Sequence, residues 1–288
     1  MDLPTNEELR AHWDIFASVF ADYFESSTVL LSRGLIDHLH LGDARAVLEI
    51  GAGPGRATQI VHAGVAPGTR IVACDLSPNM VALARARLAA LPAARPAGLP
   101  DDIDTIGTAS AVEVVEADCE ALPFASGSFD RLLANLCLML VVEPARALSE
   151  AHRVLVPGAI AAWSVWGRPE HSPMFTIPAQ AARHAGIELP DKRSNFHLGD
   201  REALMERVRS HGFERVLGWH QAITYNLHSG AAYAELIMRM PRWQDVLADR
   251  PAAQTVTFAT ELAELAQERL DAGEPLALDT LVIVARRA

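Results

Sequence analysis

The run Val47-Leu48-Glu49-Ile50-Gly51-Ala52-Gly53-Pro54-Gly55-Arg56 constrains this chain more than any other segment. A short apolar stretch enters three glycines set at alternate positions, and a helix-forming stretch leaves them. Without a Cβ, Gly51, Gly53 and Gly55 let the main chain bend sharply and approach a ligand closely. In an open parallel sheet such a bend lies beyond the carboxyl ends of the strands, where these folds bind ligands. The flanking sequence supplies the alternation a parallel sheet needs: strand 46–50, helix 56–63, strand 70–75, helix 78–91. Ser77 followed by Pro78 reads as a helix cap and a first-turn proline. Strands at 112–117, 129–136 and 159–166, with a helix at 144–155 stopped by Pro157-Gly158, continue the pattern. The fold expected is α/β, with helices on both faces of a mostly parallel sheet.

Ahead of this core, Leu9, Trp13, Phe16, Phe20 and Tyr23 recur at helical spacing, and a second helical stretch comes after them at 29–40. A Pro/Gly/Asp-rich insert fills 92–111, longer than an ordinary connection. Past the third run of sheet strands, 168–198 reads as irregular and 201–211 as a helix closed by Gly212. Segment 213–227 contains a strand, 230–271 is helical, and 276–285 is the last strand. More than forty residues separate these last two strands, far beyond a hairpin's needs, so the helices between them are expected to lie over one end of the sheet as a lid. A single domain is expected, with an N-terminal helical cap at 1–41, a ligand-binding core at 42–166, and lid segments with the last two strands at 167–288.

Charge narrows the partners. Lys and Arg number 25 against 36 Asp and Glu, a net charge of −11, and no run of basic residues offers the electrostatic footprint of a nucleic-acid or anionic-membrane binder. The three cysteines, Cys74, Cys119 and Cys137, form no C-x-x-C, which fits a reducing compartment. Asp37-His38-Leu39-His40 is the nearest approach to a ligand set, but on a helix its two histidines face different ways, so no metal site is expected. No stretch is long and apolar enough to cross a bilayer, and no leader-like start precedes the core. A cytoplasmic protein without stable membrane insertion is expected, organelle import staying open; the oligomeric state is not legible.

For a dinucleotide fold the third glycine comes one residue early, and Glu49 stands two positions before the first. The pattern E-x-G-x-G-x-G resembles the first signature of the class I S-adenosylmethionine-dependent methyltransferases. Further segments agree in order. Asp75 closes Ala73-Cys74-Asp75, and Glu116-Ala117-Asp118-Cys119-Glu120-Ala121-Leu122-Pro123-Phe124 is similar to the family's A-D-x-x-x-L-P-F. Ser128-Phe129-Asp130 resembles its S-F-D, and Glu150-Ala151-His152-Arg153-Val154-Leu155-Val156-Pro157-Gly158 its E-x-x-R-V-L-x-P-G, with Ala159 replacing a second glycine. The likeness spans about residues 9–287 and is closest to the branch holding ubiquinone and menaquinone biosynthesis methyltransferases. It implies a Rossmann-like, doubly wound sheet of seven strands with helical lid insertions. It also implies methyl transfer from S-adenosylmethionine to an oxygen, carbon or nitrogen of a small, apolar acceptor, leaving S-adenosylhomocysteine.

By the same resemblance, Asp75 accepts from the ribose hydroxyls, Asp118 from the adenine amino group, and Cys119 lends its backbone N–H to the adenine. Glu49, Gly51, Ala52, Gly53, Gly55, Leu76, Met80, Glu120, Asn135 and Tyr23 complete the expected cofactor-binding set, and the aromatic face of the first helix is expected to cover it.

A sulfonium methyl is already an activated electrophile, so the protein's task is to hold the acceptor in line and exclude water. A base helps where the acceptor is a hydroxyl or an acidic carbon. Among the eleven histidines, His171 and His197 are the expected candidates, with His220 and Tyr225 behind them. Trp163, Trp166, Met174, Phe175, Trp219, Ile237, Met238 and Met240 can wall an apolar acceptor pocket or simply fill the core. Asn135-Leu136-Cys137-Leu138 lacks the N-P-P-aromatic run of resembling enzymes that methylate DNA bases or glutamine side chains, which turns the expectation further from nucleic acid. The loop does not by itself separate an enzyme from a catalytically silent cofactor-binding protein acting in regulation or assembly.

Overall fold

The computed structural model describes residues 4–89, 91, 112–189, 193–225 and 227–288, so the 92–111 insert lies outside the described residues. Helix α1 (Asn6–Val19) starts from a capping box in which Thr5 Oγ1 accepts from the Glu8 N–H and Glu8 accepts from the Thr5 N–H. No glycine or proline falls between Asn6 and Arg33. A single π turn, Phe20–Phe24, carries α1 straight into α2 (Glu25–Asp37), the Glu25 N–H reaching back to the Phe20 carbonyl. Two helices expected separately thus form one path with a bulge, a feature that recurs at functional sites.

The core then alternates: β1 (Ala46–Ile50), α3 (Arg56–Gly64), β2 (Arg70–Asp75), α4 (Pro78–Leu88), β3 (Val112–Glu116), β4 (Phe129–Ala134), α5 (Pro144–Val154) and β5 (Leu155–Trp166). After these come α6 (Pro173–His184), α7 (Arg201–Ser210), β6 (Phe213–Thr224), α8 (Gly230–Met238), α9 (Pro241–Leu247), α10 (Ala252–Asp271) and β7 (Ala277–Arg287). One seven-stranded sheet has the order β3-β2-β1-β4-β5-β7-β6, with β7 antiparallel to both its neighbours. This is the doubly wound fold expected. Strand order reverses at β1, between β2 and β4, which sets a crevice at the carboxyl end of β1.

Strand alternation explains why both faces are apolar. Leu48, Leu132, Ala161 and Leu281 point to the face covered by Leu148 of α5 and Val208 of α7. Val47, Leu133, Ala162 and Val282 point to the other, under Leu31 and Leu35 of α2 and Val61 of α3. A third cluster joins α6, α8 and α10 through Ala181, Tyr233, Ile237, Phe258 and Leu262, and takes in Phe16 and Phe24 from the N-terminal path.

Two sequence expectations are corrected. Segment 168–198 is not irregular throughout, because α6 occupies its middle. Pro178 hides that helix from a periodicity reading, since it lacks the N–H that would reach the Met174 carbonyl. The Tyr233 hydroxyl donates to that carbonyl instead, at 3.2 Å. Nor does Pro157-Gly158 stop a helix: α5 ends at Val154 and both residues lie inside β5, where Gly158 takes φ +78° beside a register shift against β4.

Two of the sequence motifs prove to be fasteners. Asp130 accepts from the backbone N–H groups of Arg45 and Ala46 and so fixes the start of β1 against β4. Arg153 donates to the Leu122 and Phe124 carbonyls while Glu150 accepts from the Leu122 N–H, tying α5 to the loop after β3.

Candidate functional site

The glycine bend sits at the carboxyl tip of β1. Gly51, Gly53 and Gly55 take φ of +63°, +54° and +85°, all in the left-handed region. A Cβ on Gly51 would stand 2.7 Å from Cys137 Sγ, so that position admits no side chain. Beside Gly53 the nearest atoms to such a Cβ are Phe20 Cε1 at 3.7 Å and Met80 Sδ at 4.0 Å. The loop is held in place from outside: Arg87 of α4 donates to the Pro54 carbonyl at 2.7 Å and pairs with the buried Glu25 carboxylate.

Carboxylates surround the bend. Glu49, 2% exposed at the end of β1, accepts from Thr58 Oγ1 at 2.7 Å. Burial pushes its carboxyl up to about 7, against the lowering effect of the Thr58 bond. Asp75, at the tip of β2, accepts from the Gly53 N–H at 2.9 Å through Oδ2 and from the Ser77 N–H at 3.0 Å through Oδ1. Burial also raises Asp75, the backbone donors of Ser77, Gly53 and Leu76 oppose it, and Asp14 adds to the rise. Ser77 caps α4 by accepting from the Met80 N–H, so Asp75 is not the cap. Asp118, beyond β3, accepts from the Glu120 N–H at 2.8 Å and from Asn6 Nδ2 at 2.6 Å.

Glu49, the glycines, Ala52, Asp75, Leu76, Met80, Asp118 and Cys119 thus come from neighbouring strand tips. The Cys119 thiol pairs with that of Cys137, and both this pairing and burial push it up. Glu120 and Asn135 are committed to protein partners. Glu120 Oε1 accepts from the N–H groups of Val142 and Glu143 before α5, while Asn135 donates to the Thr28 carbonyl and accepts from Ser164 Oγ. Tyr23 turns outward to Arg239, and Phe20 is the aromatic that reaches the glycine bend.

At the end of β5, Trp166 packs with Phe175 and Phe196, the ring centroids 4.3 to 6.0 Å apart. Tyr225 lies against Phe24, and burial pushes its phenol up, so it stays protonated. His197, exposed like His171, reaches the Met139 carbonyl through Nε2 at 3.1 Å; partial desolvation lowers its pKa, which keeps it neutral near pH 7. His171 is exposed on a turn after β5. His220 is held through Nδ1 by Asp279 at 2.8 Å, and Asp279 also binds the Arg168 backbone N–H and guanidinium. Burial raises the Asp279 pKa, but Arg168 and His220 prevail and hold it below the usual carboxylate range. Trp163 packs on Phe213 inside the sheet core, and Trp219 covers His38 at the α2 face.

Sequence reasoning missed Asn6, Arg10, Asp14 and Asp279. The first three stand four residues apart on one face of α1, a spacing visible in the sequence. Asp279 shows as the one acidic residue of the final strand.

A family model described as a methyltransferase domain matches residues 48–163. The chain is 34% identical over 221 residues to a demethylmenaquinone methyltransferase from Parafrankia sp., covering 68% of this chain and 83% of that protein. An uncharacterized 37.1 kDa protein in a transposon of Streptomyces fradiae is 34% identical over 124 residues, covering 43% of this chain and 31% of that protein. Among solved structures, the cyclase SpnF has a TM-score of 0.59 at 20% identity, covering 100% of this chain and 98% of that one. A phosphoethanolamine N-methyltransferase of Haemonchus contortus, solved with S-adenosylhomocysteine, has a TM-score of 0.58 at 14% identity, covering 97% of this chain and 60% of its own.

Proposed function

The chain belongs to the class I S-adenosylmethionine-dependent methyltransferases, and on that basis we propose that it methylates a small, apolar, quinol- or phenol-like acceptor. S-adenosylmethionine supplies a methyl group on a cationic sulfur, and the site's chemistry suits it. Carboxylates at Glu49, Asp75 and Asp118 ring a bend of left-handed glycines, and burial raises the first two, so a cation relieves their cost. That juxtaposition is the observation carrying the reading.

In this reading Asp75 accepts from the ribose hydroxyls and Asp118 from the adenine amino group, with the Cys119 N–H at the adenine edge. Gly51, Ala52, Gly53 and Gly55 let the main chain lie against the nucleoside, Met80 and Leu76 flank it, and Glu49 faces the positive end. Glu120 and Asn135 act indirectly, by holding the loops before α5 and after β4. The Trp166, Phe175 and Phe196 rings supply the kind of apolar surface that an acceptor site needs. His197, neutral near pH 7, is the group suited to take a proton from a hydroxyl acceptor. The quinone named for the Parafrankia relative supports the acceptor class. Among the described residues no helix is long and apolar enough to cross a membrane.

The test is methyl transfer from labelled S-adenosylmethionine to a panel of quinols, phenols and amines. Transfer to a quinol or phenol is expected. Tight cofactor binding with no transfer to any member would favour a catalytically silent role.

A further inference from the structure

Asn6, Arg10 and Asp14, spaced by four, share one face of α1. Asn6 Nδ2 donates to Asp118 Oδ2 at 2.6 Å, and Arg10 pairs with Glu116 at the tip of β3. Asp14 accepts from Ser77 Oγ and, at 3.2 Å, from the Asn79 N–H at the start of α4. The same path ends with Phe20 over Gly53. Helix α1 therefore lies along the whole row of strand tips described above.

The Asp118 carboxylate has one oxygen in use by its own loop, since Oδ1 accepts from the Glu120 N–H. Oδ2 is the oxygen its own loop does not use, and Asn6 donates to it. A carboxamide nitrogen and a purine amino nitrogen are the same kind of donor, planar and bearing two hydrogens. We propose that α1 is a latch in which the Asn6 amide stands in for the purine amino group of the cofactor and competes with it for Asp118 Oδ2. The inference rests on the assignment of Asp118 to the adenine amino group.

The exchange leaves no polar group stranded. Asp118 trades one N–H donor for another, and Asn6, half-buried in the first turn of α1, turns to water. Arg10, Asp14 and Phe20 make their contacts independently of Asn6, so α1 stays over the nucleoside after the amide has moved. Latch and cover are thus separable by mutation.

The test is calorimetric titration of S-adenosylhomocysteine into the wild type, Asn6→Ala, Asn6→Asp, Asp118→Ala and the Asn6→Ala/Asp118→Ala double variant, with melting curves to show that each is folded. Removing one competing hydrogen bond of ordinary strength gives about fivefold tighter binding. Asn6→Ala is expected to tighten by about that factor, and Asn6→Asp, which repels Asp118, to tighten as well. Asp118→Ala is expected to weaken binding, and adding Asn6→Ala to it to change nothing further. Unchanged or weaker binding in both Asn6 variants, with Asp118→Ala weakened, overturns the latch and leaves the adenine assignment standing. Wild-type affinity in Asp118→Ala overturns the assignment and the latch together.

Discussion

Glu49→Gln removes a proton-binding group from the end of β1 while keeping its shape. Burial pushes the Glu49 carboxyl from an ordinary 4.5 up to about 7, so the folded state holds its proton more tightly than the unfolded chain does. The sign is therefore fixed: this contribution to stability is fully present below about pH 4.5 and is lost as the pH rises through about 7. At 1.36 kcal/mol per pKa unit, the whole span amounts to about 3 kcal/mol, of which about 2 kcal/mol falls between pH 5.5 and 8. Glutamine does not titrate and accepts the Thr58 hydroxyl in the same way. Urea unfolding of both proteins across that pH range is the assay. The variant is expected to gain about 2 kcal/mol on the wild type between the two ends. Parallel stability curves would refute the reasoning, because they would mean that Glu49 is ionised in the folded protein throughout. A cationic ligand beside Glu49 lowers its pKa, so titration with S-adenosylmethionine at pH 7 in buffers of different ionisation enthalpy is expected to reveal proton release.

Other consequences can be checked as simply. Gly53→Val puts a branched side chain at φ +54°, where it costs about 1–2 kcal/mol of stability, and it fills the space beside Phe20 and Met80; S-adenosylhomocysteine affinity, read by calorimetry, is expected to fall more than tenfold. Asp279→Ala leaves Arg168 and His220 without their shared partner and is expected to cost about 3 kcal/mol in urea unfolding. Because the Asp279 pKa is held low, its contribution persists above the ordinary carboxylate range and fades as the pH falls through the lowered value, so acid should narrow the gap between variant and wild type. His197→Ala is expected to leave S-adenosylhomocysteine affinity unchanged while turnover of a hydroxyl acceptor falls by about 10²–10⁴; a matching loss of cofactor affinity would point to the Met139 contact as its role.

Local chemistry is legible in a sequence, and distant contacts are not. The sheet was legible because Val47-Leu48 and Ile71-Val72-Ala73-Cys74 are short apolar runs and because Gly51, Gly53 and Gly55 mark a bend that few other residues permit. Ser77 announced α4 because a cap and a first-turn proline act within one helical turn. Helix α6 was hidden because Pro178 breaks the local rule, and only a distant hydroxyl, that of Tyr233, repairs the break. Leu155 begins a strand directly after a helix because it pairs with Phe129 of β4, a tertiary cause that Pro157-Gly158 disguises. At the site, the carboxylates on strand tips were visible as motif positions. The partners Asn6 for Asp118 and Asp14 for Ser77 lie 112 and 63 residues away, and no local pattern reports such distances. Tyr23 lies inside the π turn, where α-helical spacing no longer holds, so the rhythm that set it on one face with Phe20 in the sequence does not apply.

The most direct measurement is titration of S-adenosylhomocysteine into the wild type and into Asp75→Ala. A one-to-one isotherm for the wild type, weakened at least tenfold in a variant that melts normally, is the result expected. Equal affinity in the two proteins, or no binding to the wild type, would contradict a nucleoside held by carboxylates at the strand tips.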